Sequence, residues 1–164
     1  MPIRKSAIAQ FAELGFPTAD DEEWRFTNVS SIADTVFEPA AADVRVDPAK
    51  IAPYLFESDT HLVVFVNGVY SPDLSAVGDL PKGLEIISLS AALDADHPVA
   101  QEQLARHARF EDQAFTALNT ALAQDGVLIH LSRGAVVEQT IHVVYVTTAD
   151  SEDTVTHPRN LYVA

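Results

Sequence analysis

Residues 115–131, FTALNTALAQDGVLIHL, decide the fold because the pattern of the chain changes within them. Apolar side chains recur at helical spacing as far as Leu122, whereas residues 127–131 form an apolar run that favours a strand. Asp125 and Gly126 lie between the two patterns and predict the end of a helix. The sequence therefore predicts an α+β fold in which a mainly helical part is followed by strands.

The part before this change predicts several helices. Apolar side chains at 3.6-residue spacing predict an amphipathic helix over residues 2–14, with Gly15 as its left-handed cap. Residues 48–55 predict one or two helical turns, and residues 99–123 predict one or two helices with a break near Phe110. Helical turns thus account for much of the first 124 residues.

One hairpin and one further strand interrupt these helices. The β-rich run 61–66 is followed at once by Asn67 and Gly68, the pair that the positive φ angles of a type I′ turn require. Val69 and Tyr70 begin the predicted return strand, and residues 84–89 predict another short strand. The intervening stretch 37–46 has no clear period and is predicted to be a loop.

After residue 125 the predicted structure consists of strands. Residues 127–131, 136–147 and 154–163 are rich in β-branched side chains, with turns predicted at 133–134 and 149–151. We therefore predict two domains, an N-terminal α+β domain over 1–124 and a strand-rich core over 125–164.

The apolar end of the chain, 161–164, leads us to expect that more strands follow in the parent protein, because a domain seldom ends inside an apolar strand. Strands without neighbours present open edges. We therefore expect residues 143–146 and 161–163 to be exposed strands through which the protein self-associates.

The acidic charge of the chain disfavours binding to nucleic acid and to anionic membranes. It holds 24 Asp and Glu against 10 Lys and Arg, a formal net charge of −14. Such an acidic surface repels nucleic acid and anionic membranes, which bind mainly through Lys and Arg. The longest apolar run, residues 62–66, is too short to span a bilayer, and no signal peptide or cysteine is present. We expect a cytoplasmic protein that binds neither nucleic acid nor membranes.

The histidines carry the strongest alternative, a metal site. They are His61, His97, His107, His130, His142 and His157. None has the spacing of a known zinc motif. We place His130 and His142 on neighbouring predicted strands and interpret them as solvent-facing, with a metal site shared with Glu138 as the alternative.

No catalytic motif emerges from the remaining residues. The acidic run 20–23 lacks the spacing of a calcium loop and is interpreted as a solvated helix start. Trp24 is interpreted as a core anchor, with a cation–π pair to Arg25 as the alternative. Neither a nucleophile motif nor a glycine-rich phosphate loop is present. The sequence therefore predicts no catalytic, cofactor-binding or metal-binding residue, and no enzyme.

Three phrases in residues 15–126 together resemble one family. They are GFPT (15–18) with EWRFT (23–27); FVNG (65–68) with LS (74–75) and LPKGL (80–84); and FTALNTA (115–121) with DG (125–126). Their order and spacing resemble the SufB/SufD family of the SUF iron–sulfur cluster assembly machinery, and its SufD-type members in particular.

The resemblance implies both a fold and a function. Members are similar in having an N-terminal mixed helical domain, a right-handed parallel β-helix and a C-terminal segment that docks the SufC ATPase. By resemblance, residues 125–164 would be the first strands of the β-helix. The chain would be a non-enzymatic scaffold subunit that works with SufB-like and SufC-like proteins. The iron–sulfur cluster, and a reduced flavin, would belong to the assembled complex, so the resemblance assigns no site residue here.

Two other functions stay open. One is a self-contained cytoplasmic binding module, in which the hairpin at Asn67 and Gly68 and the strands beyond residue 127 form a groove for a protein or ligand. The other is a hydrolase whose His and carboxylate groups are brought together by the fold, since catalytic groups are often distant in sequence.

Overall fold

The computed structural model describes residues 2–56, 58–148 and 153–164. The helices are α1 (Pro2–Leu14), α2 (Ser30–Asp34), α3 (Pro48–Ile51), α4 (Leu89–Asp94), α5 (Pro98–Gln103) and α6 (Ala114–Leu122), with 3₁₀ turns at Glu22–Trp24 and Ala52–Tyr54. The strands are β1 (Glu38–Pro39), β2 (Thr60–Val66), β3 (Val69–Tyr70), β4 (Leu84–Ser88), β5 (Val127–Leu131), β6 (Thr140–Val146), β7 (Thr154–Val155) and β8 (Leu161–Val163). The predicted α+β class is confirmed.

The predicted helices are present. Helix α1 ends at Gly15, whose φ of 69° is left-handed and whose N–H donates to the carbonyl of Phe11 at 2.8 Å. The predicted break near Phe110 is real, because α5 stops at Gln103 and α6 starts at Ala114. Helices α1 and α6 pack against each other, so the two ends of the helical region form one unit.

The hairpin prediction is also confirmed. Asn67 and Gly68 both have positive φ, 51° and 80°, as a type I′ turn requires. The turn places Val66 opposite Val69 in an antiparallel pair. The predicted loop over 37–46 differs in one respect, because Glu38 and Pro39 form a two-residue strand with β7.

Two of the strands predicted after residue 125 are shorter than expected. The strand predicted over 136–147 begins only at Thr140, and Val136 before it is 71% exposed. The strand predicted over 154–163 is divided into β7 and β8 by a segment that contains Pro158, which has no N–H for a ladder. The turn predicted at 133–134 is confirmed by the φ of 80° at Gly134, whereas the turn predicted at 149–151 lies outside the described residues.

The strands of the described residues form three small sheets. Their orders are β1-β7, β3-β2-β6 and β4-β5-β8. In each sheet a strand from after residue 125 pairs in parallel with an earlier one: β7 with β1, β6 with β2 and β8 with β5. Strands from both sides of residue 125 therefore share ladders, and the division into domains 1–124 and 125–164 stays a prediction.

Two apolar clusters lie on the two sides of β5. Val127 packs with Val63 and Phe65 in one cluster, and Leu128 packs in the other. The other buried members of the second cluster are Leu89, Ala92, Ala100 and Leu161. Successive side chains of a strand point to opposite faces, so β5 connects the two clusters. None of the described helices has both the length and the apolar character needed to cross a bilayer.

Candidate functional site: two strand edges and an apolar cleft

Asp125 organises the centre of the molecule. It is 5% exposed, and its carboxylate accepts hydrogen bonds from the N–H groups of Tyr70, Ser90 and Gly126 at 3.0, 3.0 and 2.8 Å. It also accepts one from the hydroxyl of Ser88 at 2.9 Å. A buried carboxylate with this many donors is satisfied and fixes the backbone. Asp125 therefore holds the hairpin, the start of α4 and the start of β5 together.

Asn67 ties the hairpin to the segment after β6. Its side-chain amide donates to the carbonyl of Ala41 at 2.7 Å and to the hydroxyl of Thr148 at 3.0 Å. Its side-chain oxygen accepts the N–H of Thr148 at 2.8 Å. Because both ends of this buried amide are bound, the group has a structural role.

Asn160 joins three strands just before β8 begins. Its side-chain oxygen accepts the N–H of Val127 at 3.0 Å and the hydroxyl of Tyr145. The ring of Tyr145 stacks on Phe65 with 5.0 Å between ring centroids, and burial raises the pKa of Tyr145 to about 12. The phenol therefore stays protonated at neutral pH and keeps its bond to Asn160.

Strands β6 and β8 lie at sheet edges within the described part of the chain. They are the strands that contain the predicted exposed segments 143–146 and 161–163. Each carries a partly exposed aromatic side chain, Tyr145 at 38% and Tyr162 at 60%. A strand at an edge offers unpaired backbone N–H and C=O groups to another strand. These two edges are candidate interaction sites.

The structure does not bring His130 and His142 together, and the prediction that they lie on neighbouring strands is wrong. The chain passes to another sheet between β5 and β6, because β6 pairs with β2. The interpretation of both as solvent-facing holds only in part, because each side chain is partly exposed and also contacts a neighbour. His130 is bound to Glu85 at 2.7 Å between Nδ1 and Oε2, and the ring of His142 stacks on Phe56 at 4.1 Å.

Glu85 lies between two histidines. Besides His130, the Nε2 of His97 approaches Oε1 of Glu85 at 3.7 Å. The hydrogen bond from His130 is the main cause that lowers the pKa of Glu85, and the charge of His97 adds to it. Glu85 and its two histidines therefore connect β4, β5 and the start of α5 at the surface.

The metal alternative finds no support in the geometry. Among the described residues, no group of three or more His, Asp or Glu side chains is placed to hold a metal ion, and this includes His130, His142 and Glu138. The acidic run leads into a 3₁₀ turn at Glu22–Trp24, where Asp21 accepts the N–H of Thr18 at 2.8 Å.

Trp24 belongs to an aromatic cluster instead of a cation–π pair. Its ring centroid lies 5.1 Å from that of Phe115, which in turn lies 5.7 Å from Phe16. The guanidinium of Arg25 lies over the ring of Phe26, 5.6 Å from its centroid, so the alternative pairing with Trp24 is wrong. The interpretation of Trp24 as an anchor agrees with these contacts.

An apolar cleft of about 560 Å³ lies beside this aromatic cluster. Its lining consists mainly of apolar side chains: Phe16, Ile32, Phe37, Pro39, Ala40, Phe115, Leu118, Leu122 and Val155. Asn67, Gly68, Gln124, Thr156 and His157 complete it. Burial lowers the pKa of His157, which favours the neutral imidazole. The cleft thus has the size and the apolar character of a binding site.

Most of the residues that line this cleft could not be predicted from the sequence. Its lining comes from six separate segments, so no periodic pattern connects Phe16 or Ile32 with Leu122. Only the hairpin turn at Asn67 and Gly68 points to the cleft from the sequence, because the binding-module hypothesis puts this turn at a groove. The structure places this turn and Val155 in the same cleft.

Comparison with known proteins agrees with the resemblance carried by the motifs. The family described as the SufBD protein N-terminal region matches residues 1–143. The chain belongs to the SufBD family. It is 31% identical to an iron–sulfur cluster assembly SufBD family protein of Synechocystis sp. over 98% of its length, and it spans about a third (35%) of that relative.

The motif residues of this SufBD chain have structural roles. Gly15 caps α1, and Asp125 is the buried acceptor described above. A side chain at Gly126 would collide with the segment before β8, because a Cβ there would lie 1.8 Å from the carbonyl oxygen of Arg159. Asn119 of the FTALNTA phrase donates to the carbonyl of Pro158 at 3.0 Å. These SufBD phrases therefore fix the packing of α6 and β5 against the segment that leads to β8.

Proposed function

We propose that this chain is a non-enzymatic scaffold component of iron–sulfur cluster assembly, of the SufD type. Membership of the SufBD family and the name of the Synechocystis relative support the process. In this proposal the protein works in the cytoplasm with SufB-like and SufC-like proteins. The iron–sulfur cluster, and a reduced flavin, are handled by the assembled complex.

One observation carries the scaffold proposal: the order in which the chain visits the three sheets. After residue 125 it passes through β5, then β6, then β7, each in a different sheet, and returns with β8 beside β5. Every return is parallel to an earlier strand. We would expect this order for one coil of a solenoid, in which each coil packs on its neighbour. We propose that residues 125–164 begin a right-handed parallel β-helix.

The edges of this coil are where a scaffold would bind. Strands β6 and β8 have one neighbour each within the described residues, so their outer backbone groups can pair with a strand of another coil or of another protein. Strand addition positions two protein surfaces through main-chain hydrogen bonds and needs no catalytic group. Such edges support the proposed scaffold function.

The polar interior supports a structural role. Asp125, Asn67 and Asn160 make the main buried polar contacts described above, and all three bind backbone groups. Their hydrogen-bonding capacity is used to hold loops, and an acid or base that acts on a substrate needs a free position within reach of it. In the non-enzymatic proposal, ester and phosphate substrates turn over at background rates, and a rate above background that survives repurification would contradict it.

The partner proposal is tested by co-purification. The tagged chain is expressed together with the SufB-like and SufC-like proteins of the same genome and recovered by its tag. We expect both partners to be retained, and Tyr162→Lys on the β8 edge to reduce retention because a charge at an edge opposes strand pairing. Val136→Lys, in the loop before β6, is the matched control. Recovery of the tagged chain alone, without either partner, would contradict the proposal.

A further inference from the structure

We propose that the apolar cleft is a docking site for a basic segment of a partner protein, one of whose large apolar side chains enters the cleft. This site is separate from the strand edges, and it goes beyond the scaffold function proposed above. Its parts are the aromatic wall around Phe115, the half-exposed apolar residues at the mouth, and the acidic residues around them.

The mouth of the cleft is apolar and open. Ile32, Phe37 and Leu122 all line it, yet they are 38%, 36% and 43% exposed. An apolar side chain from another molecule would remove water from these three residues at once, which is the main favourable term in protein association. Binding energy at protein interfaces is concentrated where a large side chain fills such a pocket.

Two of the polar side chains that line the cleft, Asn67 and His157, do not favour a small anionic ligand. The amide of Asn67 is fully engaged with Ala41 and Thr148. Burial lowers the pKa of His157, so this ring adds no positive charge near neutral pH. Small-molecule sites usually hold a few convergent free polar groups, whereas an apolar anchor needs none. The cleft therefore fits an apolar side chain better than a polar metabolite.

The charge around the cleft selects a basic partner. The segment 32–40, which contributes Ile32, Phe37, Pro39 and Ala40 to the lining, carries the exposed residues Asp34 and Glu38 and no Lys or Arg. Glu38 is bound through its N–H to the carbonyl of Asp153 at 2.9 Å, which brings another acidic residue to the β1–β7 ladder at the side of the cleft. Helix α6, which supplies Phe115, Leu118 and Leu122, carries no charged residue. Charge complementarity thus points to Lys or Arg beside the anchor.

The chain carries its own reporter of this site. Trp24 is its only tryptophan, and its ring lies 5.1 Å from Phe115, which lines the cleft. An occupant that contacts Phe115 changes the surroundings of Trp24. Tryptophan fluorescence therefore follows occupancy without any label, provided that the peptide contains no tryptophan.

The experiment selects peptides from a random display library on the immobilised chain. We expect enrichment of peptides with one or two large apolar residues flanked by Lys or Arg. A tryptophan-free consensus peptide is then titrated against the chain. It should change the fluorescence of Trp24 in a saturable way, and its affinity should fall about threefold or more when ionic strength rises from about 0.05 to about 0.3 M.

Paired variants separate the cleft from the rest of the surface. Phe37→Ser and Leu122→Gln should each weaken peptide binding about tenfold, whereas Val136→Gln, an exposed apolar position outside the lining, should leave it unchanged. Asp34→Lys and Glu38→Lys should weaken it, and Asp94→Lys on α4 should not. Thermal unfolding of each variant confirms that the fold is retained.

Four results would overturn the proposal. They are a selection that enriches nothing, enriched peptides without basic residues, peptide binding that Phe37→Ser and Leu122→Gln leave intact, and binding of the uncharged dye Nile red at the cleft without any peptide binding. The last result would assign the cleft to a small apolar ligand.

Discussion

The side chain of Asn160 accepts a hydrogen bond from the backbone N–H of Val127 at 3.0 Å, although 33 positions separate the two residues. Val127 begins β5, and Asn160 directly precedes β8, which pairs in parallel with β5 and places Leu161 opposite Leu128. The bond therefore closes the path that leads through β6 and β7 and back to β5. The proposed coil depends on this closure.

Removal of this bond should destabilise the chain. Asn160→Ala leaves the N–H of Val127, a fully buried residue, without its acceptor, and it also removes the partner of the Tyr145 hydroxyl. We expect the free energy of unfolding to fall by about 1–3 kcal/mol. Denaturant titration measures it. Asn28→Ala, which removes an exposed side chain that accepts the N–H of Ser30, is the control and should cost less. Equal losses in the two variants would contradict the role given to Asn160.

The close approach at Gly126 gives a second prediction. A Cβ at this position would lie 1.8 Å from the carbonyl oxygen of Arg159, so Gly126→Ala must push the segment before β8 away. We expect a loss of about 3 kcal/mol or more. Gly78→Ala is the matched control, because Gly78 has a φ of 66° and open space around it, and backbone strain alone should cost about 1 kcal/mol. Similar unfolding midpoints for the two variants would show that β8 does not pack as described.

The contact between Glu85 and His130 makes stability depend on pH. The pKa of Glu85 is lowered in the folded state from its ordinary 4.5, mainly by the hydrogen bond with His130. A carboxyl group with a lowered pKa stabilises the fold above its unfolded pKa, and this contribution is lost as pH falls through the folded value. Because the side chain of Glu85 is 52% exposed, solvent screens the interaction and we expect less than about 1 kcal/mol.

The measurement compares wild type with Glu85→Gln in denaturant titrations between neutral and acidic pH. The wild type should be the more stable protein near pH 7, and the difference should shrink as pH falls below 4.5. Glu138→Gln, at an exposed position, corrects for the loss of one negative charge. A difference that is constant over the whole range would rule out this role of Glu85.

The two open edges predict self-association. Within the described residues β6 and β8 each pair with a single strand, which leaves one edge of each open to another copy, and Tyr162 on β8 is 60% exposed. We expect the weight-average mass measured by sedimentation to rise with protein concentration. Tyr162→Lys should suppress this rise, and Val136→Lys should not. A clean monomer at high concentration, with β6 and β8 protected from hydrogen exchange, would contradict the prediction.

Local structure was predictable because it depends on neighbouring residues. The turn at Asn67 and Gly68, the cap at Gly15 and the end of α6 each follow from the φ angle or the spacing that these residues favour. Trp24 was also interpreted from the sequence as a residue that anchors the core, and its ring does contact the ring of Phe115.

Long-range pairing was not predictable in the same way. Nothing in the run 140–146 shows that it pairs with β2 and not with β5, so His130 and His142 were placed on neighbouring strands. His130 instead binds Glu85, 45 positions away. The cleft is hidden for the same reason, since its lining comes together only when α2, α6 and β7 are packed.

The proposed coil depends on the parallel pairing of β5 with β8, and nuclear magnetic resonance can observe this pairing. With the backbone assigned, cross-strand nuclear Overhauser effects report which residues face each other and in which direction the strands run. We expect contacts that place Leu128 opposite Leu161 and Ile129 opposite Tyr162 in a parallel ladder. Contacts typical of an antiparallel pair, or the absence of any contact between these strands in a folded chain, would contradict the proposed coil.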